Sequence, residues 1–148
     1  MSIRSVALGS DHAGVELKSR LADELRKMGY EVRDEGPHNT ERVDYPDYAA
    51  RVSRLVSSGE VDSGVLVCGT GIGMSIAANK IEGIRAALIH DHFTAQMARE
   101  HNNANILIMG ARLLAPEYAI DCMKVWLKGE FEARHQARLD KIAQLEGD

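Results

Sequence analysis

Val65-Leu66-Val67-Cys68-Gly69-Thr70-Gly71-Ile72-Gly73-Met74-Ser75-Ile76-Ala77-Ala78-Asn79-Lys80 is the stretch on which the reading of this chain turns. Its three leading apolar residues suit a short buried strand. The glycines after them let the backbone turn sharply into a segment of helical period through Ile76, Ala77 and Lys80. A strand, a tight turn and a helix make half of a βαβ unit, so the same pattern is expected on both sides.

Working outward, residues 5–8, 30–33, 86–89 and 106–109 are four more strand-like runs, separated by segments of helical period. Leu17, Leu21, Leu25 and Met28 form one apolar stripe, which Gly29 can end in the left-handed conformation. Pro46 can open the next helix, with Tyr48, Val52, Leu55 and Val56 on its buried face. Tyr118, Cys122 and Trp126 fall at i, i+4 and i+8, which puts Cys122 in the core as a small buried hydrophobe. Residues 131–145 read as a charged, continuous helix anchored only by Leu139, Ile142 and Leu145. Five parallel strands with helices on both faces predict a single-domain, three-layer Rossmann-like α/β fold over residues 1–148. Residues 129–148 form its C-terminal helix, suited to contact with a partner subunit.

The bulk properties narrow the function. A length of 148 residues suits one domain, and a formal net charge of −4 argues against a general nucleic-acid surface. No apolar run approaches the roughly 18–20 residues that span a bilayer, so no membrane partner is expected. The opening MSIRSVALGS lacks a basic-then-apolar signal pattern, which makes the cytoplasm the default expectation. Cys68 and Cys122 have neither disulfide-framework nor zinc-ribbon spacing.

In an open parallel sheet, ligands bind outside the carboxyl ends of the strands. Here those ends carry Ser10, Asp11 and His12, then Cys68 to Gly73, then His90 and Asp91, then Gly110, Ala111 and Arg112. Successive N–H groups of a glycine turn beside a helix N-terminus suit an oxyanion or a phosphate, and they lower the pKa of a thiol placed there. Cys68 is thus either a base or a buried core thiol. Thr70 offers a hydroxyl to a substrate oxygen or caps the helix. His101, at a helix C-terminus, is either an acid or a simple dipole partner. Arg134 and Arg138 share a helix face; with Arg112 they form either a phosphate clamp or a solvated surface.

The chain resembles the ribose-5-phosphate isomerase B family, which includes relatives acting on galactose 6-phosphate and allose 6-phosphate. The likeness rests on Gly9-Ser10-Asp11-His12-Ala13-Gly14, Asp44-Tyr45-Pro46-Asp47-Tyr48, the Cys68 to Lys80 stretch, Arg99-Glu100-His101-Asn102-Asn103-Ala104-Asn105 and Arg134-His135-Gln136. It implies that Cys68 is the proton-shuttling base, that Thr70 and His101 assist ring opening, and that Asp11 and Tyr45 lie at the sugar. It further implies that the amides of Gly69, Thr70, Gly71, Ile72 and Gly73, with Asn102, stabilise an enediolate, and that His12, Arg112, Arg134 and Arg138 hold the phosphate. In one branch of the family a glutamate further along the loop is the base; here Cys68 is present and Ser75 occupies that region, among the substrate-binding residues. Sites of this kind are completed by a second subunit, in a homodimer or a dimer of dimers. Neither metal nor other cofactor is expected. Similar sequences often carry a Gly-Gly pair before the Arg-His motif, which Phe131-Glu132-Ala133-Arg134 lacks.

Three other readings compete. Gly69, Gly71 and Asp91 suggest a dinucleotide fingerprint, but Met74 stands where the third glycine belongs. His12, His90, Asp91 and His92 could hold a metal. A non-catalytic sugar-phosphate sensor would not need both Cys68 and His101.

Overall fold

The computed structural model describes residues 2–147. β1 (Ser5–Ser10), β2 (Glu31–Asp34), β3 (Ser63–Cys68), β4 (Ala86–Leu88) and β5 (Ile106–Gly110) form one sheet in the order β2-β1-β3-β5-β4, with every neighbouring pair parallel. The helices are α1 (Val15–Lys27), α2 (Tyr45–Ser57), α3 (Ile72–Ala78), α4 (His92–Glu100), α5 (Pro116–Lys128) and α6 (Gln136–Glu146). Gly29 follows α1 with φ +90°, as its place after the apolar stripe predicts.

Side chains alternate across a strand, and that parity sorts the core into two halves. Val6, Leu8, Val65, Val67, Leu107 and Met109 pack with α1, α4 and α5. Ala7, Leu66, Cys68, Ile106 and Ile108 pack with α2 and α3 on the other face. Right-handed crossovers account for the division, because the connections that run toward opposite ends of the sheet must cover opposite faces. Cys122 and Trp126 are fully buried in the first half, and the indole N–H of Trp126 donates to the Ala104 carbonyl at 3.2 Å. Burying one such large apolar side chain stabilises the fold by roughly 1.5–3 kcal/mol.

Strand order was not legible in the sequence: β5 lies between β3 and β4. The chain adds β2 on one side of β1 and β3 on the other, so the progression of strands reverses between β1 and β3, with Asp11 and Cys68 at the carboxyl ends of these adjacent parallel strands.

The C-terminal segment departs from the expected continuous helix over residues 131–145. Glu132 is extended (φ −85°, ψ 109°), a single 3-10 turn covers Ala133–His135, and only then does α6 begin. The cause is local anchoring. The Glu132 N–H donates to the Glu100 carbonyl at 2.9 Å and the Arg99 Nε donates to the Gly129 carbonyl at 3.2 Å, which holds the incoming chain against the end of α4. Of the three expected anchors on α6, Leu139 is buried, whereas Ile142 is 40% and Leu145 85% exposed.

Candidate active site

Two groups of the expected residues form, at opposite edges of the sheet. The first surrounds Cys68 at the carboxyl ends of the strands. Cys68 closes β3 on the α2/α3 face, and the Gly71 N–H donates to its Sγ at 3.2 Å. Gly71 has φ +80°, and a Cβ there would stand 2.4 Å from Leu88 Cδ1, so only glycine fits the turn that aims this amide at sulfur. α3, which follows, is seven residues long. Thr70 is exposed and its Oγ1 accepts from the Ile72 N–H at 3.2 Å; the hydroxyl therefore caps the turn and keeps its own hydrogen for another acceptor.

The other residues of this group follow from neighbouring turns. Arg112 lies over Gly69, with its N–H on the Gly69 carbonyl at 3.0 Å and its Nη1 3.1 Å from where a Gly69 Cβ would be. The Tyr45 ring covers Gly73 so closely that a Cβ there would meet ring carbons at 2.6 Å. Asp11 Oδ1 accepts from the N–H groups of Ala13 and Gly14 at 2.9 and 3.1 Å, fixing the carboxylate beside β3. The Val43 N–H donates to His12 Nδ1 at 3.3 Å, which leaves the ring hydrogen on Nε2 in the neutral form. Ser75 is half-buried on α3.

The second group stands at the N-terminal edge. α4 runs back from the carboxyl end of β4, so its C-cap, His101, arrives near the start of β5; Asn102 follows, and the Asn105 N–H donates to the Arg85 carbonyl just ahead of β4. Cys68 is level with Gly110, and Gly64 with Ile106. That register separates the two edges by about 13 Å along the strands. Arg134 belongs to the turn after Glu132 and Arg138 to α6, so both join His101 and not Cys68. A cleft of about 630 Å³ also opens at this N-terminal edge, lined by Asp62, Arg85, Arg99 and Phe131 among others. It has no part of the Cys68 group. Cys68 itself is 5% exposed, at the end of a buried strand, while Tyr45, Thr70, Ile72 and Arg112 around it are exposed.

Sequence reasoning missed two neighbours of His101. The rings of His101 and His135 have centroids 4.4 Å apart, and Glu132 Oε2 lies 3.7 Å from His135 Nε2. Desolvation, helped by the charges of Arg134, His101 and Arg138, lowers the His135 pKa below its ordinary value. The one available signal was the position of His135 directly after Arg134.

The competing ligand sets do not assemble. Asp91 caps α4, accepting from the Thr94 N–H at 2.7 Å; this bond and that of the Thr94 hydroxyl hold its carboxyl below the usual value. β4, which Asp91 follows, is separated from β3 by β5, so this acid has left the glycine turn that a dinucleotide would need. His92 packs against Tyr118 with ring centroids 4.8 Å apart, while His12 is held at Val43. Among the described residues, the group close enough to share a metal ion is instead His101, Glu132 and His135.

Cys122 is buried, and desolvation first, then the Asp91 charge, pushes its thiol up to about 11. Both cysteines are buried, but only Cys68 has an amide aimed at sulfur among the hydrogen bonds of the described residues.

The chain is similar to known proteins along nearly its whole length. The family model described as Ribose/Galactose Isomerase matches residues 6–142. Ribose-5-phosphate isomerase B of Escherichia coli is 43% identical over 145 residues, covering 97% of each chain. D-erythrulose-4-phosphate isomerase of Pectobacterium atrosepticum is 42% identical over 144 residues, 96% of this chain and 95% of the relative. The solved structure of Clostridium thermocellum ribose-5-phosphate isomerase B superposes with a TM-score of 0.94 at 50% identity, covering 96% of this chain and 97% of that one.

Proposed function

The chain belongs to the ribose/galactose isomerase family, and from that premise we propose that it interconverts ribose 5-phosphate and ribulose 5-phosphate by moving one proton on and off the thiol of Cys68. It is a sugar-phosphate isomerase. The observation that carries the mechanism is the Gly71 N–H at 3.2 Å from Cys68 Sγ, in a turn that only glycine can make.

The reaction needs the sugar ring opened, a proton taken from the carbon beside the carbonyl, and that proton returned to the neighbouring carbon. The Cys68 thiolate takes it from C2 of the aldose and delivers it to C1 of the ketose. One base serves both carbons because they are adjacent. Of the Gly69 to Gly73 turn, the Gly71 and Ile72 amides are engaged by Cys68 Sγ and Thr70 Oγ1, which leaves those of Gly69, Thr70 and Gly73 for the enediolate; one such oriented donor is worth about 3 kcal/mol of barrier. Asp11 and Tyr45 bind sugar hydroxyls, Thr70 donates during ring opening, and His12 with Arg112 receives the phosphate.

His101 is the acid that protonates the ring oxygen, and Asn102 supports the enediolate. In one chain these residues are at the far edge of the sheet, so we assign them, with Arg134 and Arg138, to the site of a second copy in a homodimer or dimer of dimers. The exposure of Ile72 (55%) and Ile76 (60%) beside the thiol, and of Leu145 on α6, supports such pairing. Closure by a second copy would exclude water and strengthen every polar contact inside. Residues 1–148 then act as one domain, with 129–148 as the segment that meets the partner. Among the described residues no helix is long and apolar enough to cross a membrane, and two unpaired thiols suit a reducing cytoplasm.

A four-carbon substrate is the second reading, because the relative named for erythrulose 4-phosphate is almost as similar as the one named for ribose 5-phosphate. Purified protein incubated with four-, five- and six-carbon aldose phosphates, with ketose formation followed for each, tests both. The largest kcat/KM is expected with ribose 5-phosphate. No turnover of any of them would overturn the assignment.

A further inference from the structure

We propose that His101, Glu132 and His135 form a binding site for a late first-row divalent cation of the zinc type. The ligand atoms these three residues offer all lie within 4.8 Å of one another. Zinc takes imidazole nitrogen and carboxylate oxygen at about 2.0–2.2 Å, which puts two tetrahedral ligands some 3.4 Å apart. Movement of roughly an ångström per side chain therefore closes the triad on an ion. Two histidines and one carboxylate are also a ligand set that zinc accepts while keeping an open coordination position.

An independent observation points to a ligand. His135 is 5% exposed, yet its Nε2 has no hydrogen-bond partner, and its nearest acidic atom, Glu132 Oε2, is 3.7 Å away. Leaving a buried polar atom unpaired is costly, and a metal bond would satisfy it. The backbone is already set for the purpose. Glu132 and His135 are spaced i, i+3 across one 3-10 turn, a spacing that metal-binding helical bundles also use, and the Glu132 N–H is fixed to the end of α4 that carries His101.

Two features oppose the cation and set its expected strength. Arg134 Nη2 is bonded to Glu132 Oε2 at 2.8 Å, and Arg138 adds a second positive charge to the environment of His135. Binding therefore displaces Arg134 from its carboxylate, and removing Arg134 should tighten it. If His101 is the acid proposed above, an ion that takes its imidazole also stops isomerisation. That consequence rests on the proposed function, whereas the binding itself does not.

The test is calorimetric titration of chelator-treated, full-length protein with Zn²⁺, repeated with Co²⁺ so that the visible absorption reports tetrahedral nitrogen and oxygen ligation. One equivalent per chain is expected. Glu132→Gln and His135→Gln should each weaken binding at least about tenfold, since even loss of an outer-shell partner costs that much. Arg134→Gln should strengthen it, and Cys68→Ala should leave it unchanged. Because His135 is buried, each variant is checked by circular dichroism; Glu132→Gln, at a half-exposed position, carries the test if His135→Gln does not fold. No binding, or binding lost with Cys68→Ala and kept in Glu132→Gln, would overturn the site. Zn²⁺ binding with the expected ligand dependence but no effect on turnover would uphold the site and count against the role given to His101.

Discussion

The N–H of Gly71 points at the sulfur of Cys68 from 3.2 Å. The donor is in place for the base proposed above, and a hydrogen bond to an ionised acceptor is about twice as strong as one between neutral groups. A general base typically contributes about 10²–10⁴-fold to rate. Cys68→Ala is expected to lose at least that much kcat while still binding substrate, as measured by steady-state kinetics and by titration with ribose 5-phosphate. Retention of a substantial fraction of wild-type kcat would shift the search for a base to Asp11.

Alkylation should distinguish the two thiols. Burial raises Cys122 to about 11, so at pH 8 it is almost wholly protonated; Cys68 is buried too, at 5% exposure, but it accepts an amide hydrogen bond and borders the exposed Thr70 and Ile72. Iodoacetamide followed by peptide mass spectrometry is expected to label Cys68 first, with activity falling in step. Cys122→Ala should keep turnover and lose about 1 kcal/mol of stability, the usual size for a small core change. Equal labelling of both thiols, or activity that survives labelling of Cys68, would count against this division.

The layers of the fold were legible because parity is local. Val65, Leu66, Val67 and Cys68 assign themselves to alternate faces as soon as they are read as a strand, and Gly71 can be identified as the turn. Strand order was not, because nothing in the periodicity of residues 86–89 or 106–109 says which run occupies the edge. Asp11 and Arg112 could be read as strand-end residues, whereas Tyr45 came from the resemblance alone, and the geometry gathers all three with Cys68. The opposite-edge position of His101 follows only once α4 is known to run back down the sheet. Glu132 and His135 were hidden because the capture of Glu132 by the Glu100 carbonyl is a tertiary contact, and it also breaks the helix that residues 131–145 would otherwise form.

A buried ion pair holds the loop beside the site. Lys18 is fully buried, and its Nζ donates to Asp34 Oδ1 at 2.6 Å; the same oxygen accepts from the Gly36 N–H, and the Gly36 carbonyl accepts from the Ser10 N–H next to Asp11. Lys18→Ala leaves a largely buried carboxylate unpaired and is expected to cost about 3–5 kcal/mol in chemical denaturation. Asp34→Asn combined with Lys18→Met should recover most of that loss, since uncharged side chains of similar volume remove the desolvation penalty. A Lys18→Ala protein as stable as wild type would show that the pair is not what fixes this loop.

The last prediction follows from the sheet edges. The register puts Cys68 about 13 Å along the strands from the start of β5, the end of the sheet near which α4 delivers His101, so the proposed site takes its His101 from a second chain. Cys68→Ala and His101→Ala proteins should each be nearly inactive as homodimers. When they are mixed, unfolded and refolded together, random pairing makes half the dimers mixed, and each mixed dimer has one site with both residues intact. Activity should therefore return to about a quarter of wild type per chain. The Arg134→Ala/Arg138→Ala protein should complement Cys68→Ala in the same way, and alone should show a raised KM for the phosphorylated sugar. If mixed dimers, verified by mass spectrometry or by separable tags, regain no activity, the edge that carries His101 is not the second half of the site.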